Sequence, residues 1–595
     1  RRRILSEAPV AGWEVEGVFP DSGLQLLARE GEGTLGGGDW GSWMALEISA
    51  REAAYVPGQS MSADGIELLD PVQPGTAEAL GGRLHALGGF TRPDAAVAAG
   101  RSLGGSLAVL PVVAAVRSCS QVALPAGVDA MELGADPELP PGGFAAVTEV
   151  DVLVVGGGTG GAPAGIAAAR GGARTLVTEF LSGLGGVGTL GMIGRYWYGN
   201  RVGFTAEVDA GSAALTTRHM KPGNWDVEAK MQWLQGQIHT AGGQVWYKTM
   251  AAGALRRGAD RVCGAVVCTP QGRVAVLAKV VIDATGSADV AAAAGAETVA
   301  IGDGHLALQG TGLPGRAPGQ NYTNTDYDFV DDTQPEDVAS AHVTARKKFQ
   351  HAFDAGQLVD TRERRRVVGD VEVSPMDIRL KRVFPDSLVK ARSNFDTHGF
   401  TVHPLFMIVP PGHDPLEAFV PLRALLPRGL EGILVTGLGI SAHRDAMPVI
   451  RMQADVQNQG YAAGTLAAMA GESALRGLDL ADVQARLVAE GILEAEIAGA
   501  TDSFPLPEAE IAAALRNAPQ DPDQIDRVFT LPDAERNARL QAAWRTAADS
   551  ESRRFYAFVL GILGLSEGVE DLAAQVRELP WDAGWNYTGM GQFGE

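Results

Sequence analysis

The chain has 595 residues, a formal net charge of −22 and a sequence pI near 4.9. Because long-range repulsion opposes the binding of so acidic a protein to a polyanion, nucleic acid and anionic membrane surfaces are not expected partners. The three cysteines, Cys119, Cys263 and Cys268, are too few and too badly spaced for a disulfide framework or a tetrahedral zinc site. No metal site is predicted, and both Cys263 and Cys268 are expected to be core residues.

Membrane insertion is not expected either. The most apolar stretch outside the first glycine motif, residues 107–116, is far shorter than the roughly 20 residues that a membrane-spanning helix needs. The start, RRRILSEAPVAGW, lacks the apolar segment and cleavage pattern of a signal peptide. We therefore expect a soluble protein, either cytoplasmic or exported with its leader removed, and neither end of the chain is taken as complete.

Residues 1–147 form a first region, which we expect to be α+β. Its pattern predicts strand-like runs at residues 13–19, 24–28 and 43–48 and alanine-rich helices at residues 76–87 and 94–99. The Pro- and Gly-rich stretch ADPELPPGG at residues 135–143 indicates a boundary. No motif in this region translates into chemistry.

Residues 151–180 read DVLVVGGGTGGAPAGIAAARGGARTLVTEF, which predicts a buried strand, a glycine turn, a small-residue helix and a second strand. Gly156 allows the tight turn, Gly158 lets a pyrophosphate approach the backbone, and Gly161 lets the helix pack close to the strand. The helix N-terminus offers N–H groups to a phosphate. Glu179, about 20 residues on, suits the ribose hydroxyls, which favours NAD or FAD over NADP.

Further elements follow in chain order. They are a glycine cluster at 183–191, an amphipathic helix at 227–240, an antiparallel meander at 245–284, the segment KVVIDATGSADV from 279, a polar stretch at 302–377, a histidine-rich stretch at 384–415, a strand at 432–436 and a long helix at 448–470. From residue 478 the chain is helical and polar. Residues 551–579 predict a helical hairpin with Tyr556, Val559, Leu560 and Leu563 on one face, which one HEAT-like repeat cannot bury by itself.

Four motifs in this order resemble the glutathione-reductase-like FAD superfamily: GxGxxG with Glu179, GLGG at 183–186, DATG at 283–286, and ILVTGLG leading to a GYAAG helix. Within it the chain is similar to FAD-dependent oxidoreductases that carry a segment like RERRRVVGD, here residues 362–370. The resemblance covers residues 149–470, and a HEAT-like tail also occurs in some relatives.

The resemblance implies an α/β fold with a Rossmann-like FAD-binding domain of three-layer ββα character, an inserted α+β substrate domain and an α-helical HEAT-like C-terminal region. The expected boundaries are 1–147 for the N-terminal region, 148–301 and 429–475 for the two parts of the FAD-binding domain, 302–428 for the substrate domain and 476–595 for the tail. The implied cofactor is non-covalent FAD.

The resemblance also assigns roles to individual positions. The ADP half of FAD would be held by Gly156, Gly158, Thr159, Gly161 and Glu179. The pyrophosphate and flavin edge would lie against Gly185, Gly186 and Thr189, and the adenine side would pass Ala284, Thr285 and Gly286. Gly437 and Gly439 would form the last turn near the ribityl chain. Many superfamily members have an acid after the first of these two glycines, whereas this chain has Leu438, so the ribityl contact must come from the backbone or another side chain.

Oxidation of an alcohol or amine by a flavin needs a base, and histidine suits that role because its unperturbed pKa is near neutral. His443, between the last glycine turn and the following helix, is the first candidate, oriented by Asp445 or Arg444. His398 is the second, because Asp396 and His398 project to the same face of an extended segment. For each histidine a structural role is an equal alternative.

Two arginines are further candidates. Arg365 belongs to the charge run of residues 362–366, which is either a solvated or salt-bridged face or a set of guanidiniums that bind a substrate carboxylate or polyol. Arg451 lies about one turn into the predicted helix from Pro448 and is expected to approach the isoalloxazine ring. If the reaction takes place at a C=C bond, Arg365 or Arg451 would replace histidine and act as the proton donor.

Three functions are therefore open. The first is an FAD-dependent oxidoreductase that takes hydride from a small organic substrate, hydroxylated or carbohydrate-like, and passes electrons to an unidentified acceptor. The second is a flavin-dependent C=C dehydrogenase or reductase of the fumarate-reductase-like type. The third is a flavin-binding scaffold whose HEAT-like tail recruits partners. A homo-oligomer is compatible with all three.

Overall fold

A computed structural model describes the side chains of residues 122–132, 143–217, 219–300, 334–344, 365–396, 401–471 and 473–580. It also describes the backbone of the strands and helix residues at 14–19, 24–35, 38–48, 78–80, 84–90, 307–311, 313–314, 325–328, 345–348 and 353–354. The chain divides into two compact units, Arg1–Cys119 and Ser120–Glu595.

The first unit contains a five-stranded antiparallel sheet in the order β1-β2-β3-β5-β4. The strands are β1 (Glu14–Phe19), β2 (Leu24–Leu35), β3 (Gly38–Ile48), β4 (Glu78–Leu80) and β5 (Leu84–Phe90). The prediction of a helix at residues 76–87 is wrong, because β4 and β5 pair as an antiparallel hairpin in which Leu80 lies opposite Leu84. Alanine-rich composition favours a helix only weakly, and pairing with β3 overrides it. The helix predicted at residues 94–99 lies outside the described residues.

The second unit is organised around an eight-stranded mixed sheet. Its strands are β6 (Asp129–Glu132), β7 (Ala146–Val155), β8 (Thr175–Glu179), β9 (Gln244–Tyr247), β10 (Met250–Arg257), β11 (Arg261–Thr269), β12 (Gly272–Asp283) and, later in the chain, β21 (Ile433–Val435). Five of them form a parallel sheet in the order β21-β12-β7-β8-β9. The others, β6, β10 and β11, extend it through antiparallel pairs. The antiparallel meander predicted at residues 245–284 is confirmed for β10, β11 and β12, whereas β9 pairs parallel with β8 and β6 lies outside the predicted range.

Strand β12 joins the two parts of the sheet. Its first half pairs with β11 and its last three residues pair with β21, while its other edge pairs with β7 along residues Val274 to Asp283. Val152 to Val155 of β7 are buried on both faces, as their continuous apolar run predicts. The carboxyl ends of β7, β8, β12 and β21 therefore lie along one edge, where ligands bind in open parallel sheets.

Smaller pairs of strands lie in the segment between β12 and β21. They are β13 (Thr298–Ala300) with β18 (Arg365–Val367), β14 (Ala307–Thr311) with β16 (Thr325–Asp328), β15 (Leu313–Pro314) with β17 (Phe353–Asp354), and β19 (Ser387–Ser393) with β20 (Leu416–Pro421).

The helices complete the unit. Those of the body are α1 (Gly161–Arg170), α2 (Gly203–Leu215), α3 (Val227–Thr240), α4 (Asp289–Ala293), α5 (Pro335–Lys348), α6 (Pro375–Arg379), α7 (Pro404–Ile408), α8 (Leu422–Leu425), α9 (Met447–Ile450) and α10 (Gln453–Ala470). Those of the tail are α11 (Leu480–Ala489), α12 (Glu508–Asn517), α13 (Ile525–Val528), α14 (Asp533–Thr546), α15 (Ser550–Ile562) and α16 (Val569–Glu578). Among the helices that the structure describes, none combines the length and apolar character needed to cross a bilayer.

The tail docks on the body through α7. Leu405 and Val409 share a buried apolar cluster with Phe529 and with Tyr556, Val559 and Leu560 of α15. The predicted buried face of the hairpin's first helix is thus confirmed for these three residues, whereas Leu563 is half-buried. Helix α16 has no buried residue, and Val576 is 78% exposed.

Two smaller expectations are corrected by the fold. Cys263 is buried in β11, but Cys268 is only half-buried near the end of the same strand, so it is not a core residue. The helix predicted from Pro448 is interrupted, because Met452 adopts an extended backbone between α9 and α10. Arg451 therefore lies in the break before the long helix rather than inside it.

Candidate active site at the carboxyl edge of the parallel sheet

The glycine turn after β7 is closely packed on one side and open on another. Gly156 has φ +97°, and a Cβ there would lie 2.4 Å from Ala284 O. A Cβ on Gly161 would lie 1.8 Å from Gly156 O, so α1 can start this close to β7 only with glycine. Beside Gly158, by contrast, the nearest atom to such a Cβ is 4.0 Å away. The three positions therefore have the tight turn, the open approach and the close packing that a dinucleotide site requires.

Glu179 ends β8 with a buried carboxylate. Gly157 N donates to Glu179 Oε2 at 2.7 Å, and Leu181 N donates to Oε1 at 2.7 Å. Burial raises the pKa of Glu179, and these backbone hydrogen bonds oppose that shift. Each oxygen keeps a second lone pair, which is the acceptor that a ribose hydroxyl needs.

The second glycine loop lies against the first. Gly185 N donates to Gly157 O at 2.8 Å, and Thr159 Oγ1 donates to Gly185 O at 3.2 Å. Thr189 is fully buried, and its hydroxyl donates to Leu184 O at 2.6 Å. Thr159 and Gly186 are half-buried at the edge of the loops, whereas Thr189 supports the loop from inside.

The turn after β12 is organised by Asp283, a residue to which the sequence motif gave no role. Its fully buried carboxylate accepts hydrogen bonds from Thr285 N, from Thr285 Oγ1 at 2.7 Å and from Ala291 N at 2.9 Å. Ala284 N donates to Val155 O, which joins this turn to the end of β7. Gly286 has no atom within 4 Å of a would-be Cβ, so the turn leaves open space beside it.

Arg365 lies at this same turn. Its Nε donates to Ser287 O at 2.9 Å, and its guanidinium forms an ion pair with Asp289. Arg365 is therefore placed to tie β18 to the DATG turn. Its neighbour Arg366, on the opposite face of β18, is buried and lowers the pKa of His443 through its charge.

The last glycine turn is held by a side chain that the motif did not indicate. Gln459 Oε1, from α10, accepts hydrogen bonds from Gly437 N at 2.6 Å and from Thr436 Oγ1 at 2.9 Å. A Cβ on Gly439 would lie 3.1 Å from Ala288 N, so this turn also packs against the DATG segment. Gln459 therefore fixes the backbone of this turn from α10.

Helices α1 and α10 cross at glycine contacts. A Cβ on Gly460 would lie 1.9 Å from Gly160 O, and one on Gly464 would lie 2.1 Å from Ala164 O. The crossing brings the N-terminal halves of both helices to the carboxyl edge of the sheet. The positive ends of two helix dipoles are thus directed toward that edge.

His443 follows the last glycine turn and is mostly buried. Its backbone N donates to Val373 O at 2.8 Å, and Asp445 N donates to His443 Nδ1 at 3.1 Å. Burial lowers the pKa of His443, so the neutral ring is favoured. With Nδ1 accepting a hydrogen bond, a neutral ring carries its proton on Nε2. The Asp445 carboxylate does not orient this ring as expected.

Asp445 instead anchors the segment that carries the second histidine candidate. Its Oδ2 accepts hydrogen bonds from Val402 N at 2.8 Å and His403 N at 2.7 Å, and its Oδ1 pairs with Arg444 at 3.0 Å. Arg451 Nη2 donates to Asp396 O at 2.7 Å. His398 lies outside the described residues, but the chain on both sides of it is bound to the loop of residues 443–451.

His403 packs edge-on against His443, with ring centroids 5.1 Å apart. Leu405 N donates to His403 Nδ1 at 3.2 Å, and burial lowers the pKa of His403 to about 4. Both rings are therefore neutral near pH 7 and have the same tautomer. Within the part of the chain that the structure describes, no cluster of His, Cys, Asp or Glu side chains is arranged to hold a metal ion.

The sequence of residues 151–357 and 320–487 matches the family described as FAD dependent oxidoreductase. These two overlapping matches span more than half of the chain and include all four glycine-rich turns. This chain belongs to the family of FAD-dependent oxidoreductases. It is an FAD-dependent enzyme, and the cradle of Gly156, Gly158, Glu179, Gly286 and Gly437 fits that cofactor because it combines a tight glycine turn at Gly156 and three open glycine positions with a ribose acceptor.

Similar solved structures include a geranylgeranyl bacteriochlorophyll reductase-like protein from Thermoplasma acidophilum, with 17% identity over 65% of this chain and 100% of that chain and a TM-score of 0.34. THI4 from Thermovibrio ammonificans has 26% identity over 26% of this chain and 66% of that chain, with a TM-score of 0.21. The OxyS anhydrotetracycline hydroxylase from Streptomyces rimosus has 14% identity over 66% and 75%, with a TM-score of 0.30. A search of curated proteins finds no significant match.

Proposed function

We propose that this FAD-dependent oxidoreductase acts on a carbon–carbon bond next to a carbonyl or carboxylate group of a small organic substrate. Bound FAD supplies the hydride acceptor or donor. One observation carries the proposal: Asp445 N donates to His443 Nδ1, so the ring presents an N–H at Nε2 rather than a lone pair. A donor at this position binds a carbonyl oxygen, whereas the oxidation of an alcohol needs a base.

The burial of His443 supports a donor role. Burial lowers the pKa of His443 despite the opposing charges of Asp445 and Glu372, so its Nε2–H belongs to a neutral ring near pH 7. Arg451, the other candidate on this loop, is an obligate donor. Both groups stabilise negative charge that develops on a substrate oxygen during hydride transfer. Arg365, bound at the DATG turn, does not take part in this step.

The proposal uses the expected domain boundaries. Residues 148–301 and 429–475 build the FAD site, and the segment 302–428 delivers Asp396, Val402 and His403 to its edge through Arg451 and Asp445. This arrangement supports a glutathione-reductase-like plan with an inserted substrate domain. The alternative function, a redox-inactive flavin-binding scaffold, gains no support, because the site combines a cofactor cradle with buried hydrogen-bond donors.

An anaerobic experiment tests the reaction class. FAD-loaded enzyme, reduced by dithionite, should be reoxidised by α,β-unsaturated acids and ketones faster than by their saturated counterparts. The variant His443→Phe should keep the flavin spectrum and slow this reoxidation at least about tenfold, since one buried donor to a developing charge is worth that much or more. Reduction of the oxidised enzyme by simple alcohols, with loss of that activity in His443→Phe, would contradict the proposal and restore histidine as a base.

A further inference from the structure

Lys230 is a fully buried lysine beside the second glycine loop. It lies in the first turns of α3, which follows β8, so its end of the helix is at the same carboxyl edge as the FAD cradle. Burying an ammonium without a counter-ion is costly, so a lysine in such a place calls for an explanation.

The surroundings of Lys230 Nζ are aromatic. The atom lies 3.9 Å from the centroid of the Trp225 ring and 5.4 Å from that of Tyr196, which is the geometry of a cation–π box. Within the part of the chain that the structure describes, these rings and the backbone of Gly188 surround Nζ in place of a carboxylate. Desolvation lowers the pKa of Lys230 to about 7, so its charge changes near neutral pH.

The box is connected to the glycine loop by direct contacts. Trp225 Nε1 donates to Gly188 O at 2.7 Å, and Trp225 N donates to Gly194 O at 3.0 Å. A Cβ on Gly188 would lie 3.2 Å from Lys230 Nζ and 2.3 Å from Gln453 Oε1. Gln453 is the first residue of α10, and its buried Oε1 accepts no hydrogen bond from the described residues. Lys230 thus supports the loop at the point where it meets α10.

The charged groups around the box are arranged in pairs. Asp209 of α2 favours the charged form of Lys230, but its carboxylate is already bound by Tyr196 OH at 3.0 Å and by Arg201 at 2.8 Å. Asp226 caps the N-terminus of α3 through Glu228 N. On α10, Asp455 accepts from Asn200 N and Arg392 N, and burial raises its pKa to about 7. The pKa values of Lys230 and Asp455 thus both lie near 7.

We propose that Lys230 is a positioning residue of the FAD site, which supports the glycine loop through Trp225 and Gly188 and, when charged, strengthens the binding of the anionic cofactor. The proposal depends on the FAD dependence of the family and not on the substrate class proposed above. The side chain acts through the loop, because it is buried while the cofactor-facing positions Thr159 and Gly186 are half-buried. FAD should therefore bind more tightly below pH 7 than above it.

The dissociation constant of FAD, measured by flavin fluorescence between pH 6 and pH 8.5, tests whether the charge of Lys230 strengthens cofactor binding. Wild type should bind FAD about tenfold more tightly at pH 6 than at pH 8.5, the order of effect expected when one buried positive charge is gained near an anionic ligand. Lys230→Met should bind weakly at both pH values. Lys230→Arg should bind tightly at both, because arginine stays charged. The exposed Lys221→Met is the matched control and should keep the wild-type profile.

A second measurement on the apoprotein does not involve FAD. Because the pKa of Lys230 is lowered from 10.5 to about 7, the unfolded chain binds one more proton than the folded chain between these values. The folding equilibrium constant should then rise about tenfold per pH unit above pH 7 relative to that of Lys230→Met. A wild-type pH profile of FAD binding that persists in both Lys230 variants, or that disappears in Asp455→Asn and not in Lys230→Met, would overturn the proposal.

Discussion

Gly460→Ala tests the helix crossing on which the candidate site is built. The added Cβ would lie 1.9 Å from Gly160 O, whereas ordinary contacts begin at 3.4 Å. The helices α1 and α10 would have to separate by about 1.5 Å, and both contacting groups are backbone, so no side chain can rotate away. Overpacking of this kind costs about 3 kcal/mol, the upper part of the usual range.

The separation should also reach the cofactor site. Gln459, next to Gly460, accepts the hydrogen bonds of Gly437 N and Thr436 Oγ1. Movement of α10 away from α1 would shift this contact and the N-terminus of the helix together. FAD affinity should therefore fall at least about tenfold, the loss expected for about 1.4 kcal/mol of binding free energy.

The assay is urea unfolding followed by tryptophan fluorescence, with FAD binding measured on the same preparations. Gly236→Ala is the matched control, because Gly236 is also inside a helix, α3, and has no atom within 4 Å of a would-be Cβ. That variant should gain about 0.5–1 kcal/mol of stability, since alanine favours a helix over glycine. If Gly460→Ala were as stable as Gly236→Ala, the close crossing of α1 and α10 would be refuted.

Three further substitutions test the site. Glu179→Gln should weaken FAD binding at least about tenfold, measured by flavin fluorescence. The amide nitrogen of glutamine cannot accept a hydrogen bond, so either Gly157 N or Leu181 N loses its acceptor. An unchanged affinity would remove Glu179 from the ribose site. Burial lowers the pKa of His403 to about 4, so between about pH 4 and 6.5 the unfolded chain binds one proton more than the folded chain. The free energy of unfolding should therefore rise with pH in that window by about 1.4 kcal/mol per pH unit, and urea titrations of His403→Gln should lack this slope. Asp445→Asn should keep the flavin spectrum yet slow flavin reoxidation at least about tenfold in stopped flow, because Val402 N and His403 N lose the carboxylate that accepts both hydrogen bonds; an unchanged rate would show that these two residues are held otherwise.

The sequence predicted β7, β8, the glycine turns and α3 because each depends on local pattern, whereas β9, expected in the antiparallel meander, pairs parallel with β8. Val152 to Val155 and the turn at Gly156 follow from a buried apolar run and the backbone geometry of glycine. The bounds of α3, Val227–Thr240, were predicted correctly from its amphipathic spacing. Here local preference and tertiary packing favour the same structure.

Other features depend on contacts between residues far apart in sequence, and the sequence pattern did not indicate them. Gln459 binds the turn at Gly437, and Lys230 lies beside Gly188. Both contacts form only when the chain has folded. The helix expected at residues 76–87 is a hairpin because pairing with β3 overrides helix propensity. Neither residue at the break between α9 and α10, Arg451 or Met452, is a proline or glycine from which the sequence could predict it.

The proposed function depends on hydrogen-bond donors in the loop after the last glycine turn, beginning with the Nε2–H of His443. The tautomer of this ring is measured directly by ¹⁵N NMR of histidine-labelled, FAD-loaded protein, with His443→Phe assigning the signal. The structure predicts a neutral ring at pH 7 with its proton on Nε2 and an unprotonated Nδ1. A proton on Nδ1, which leaves Nε2 free as a base, would rule out the proposed donor role of His443.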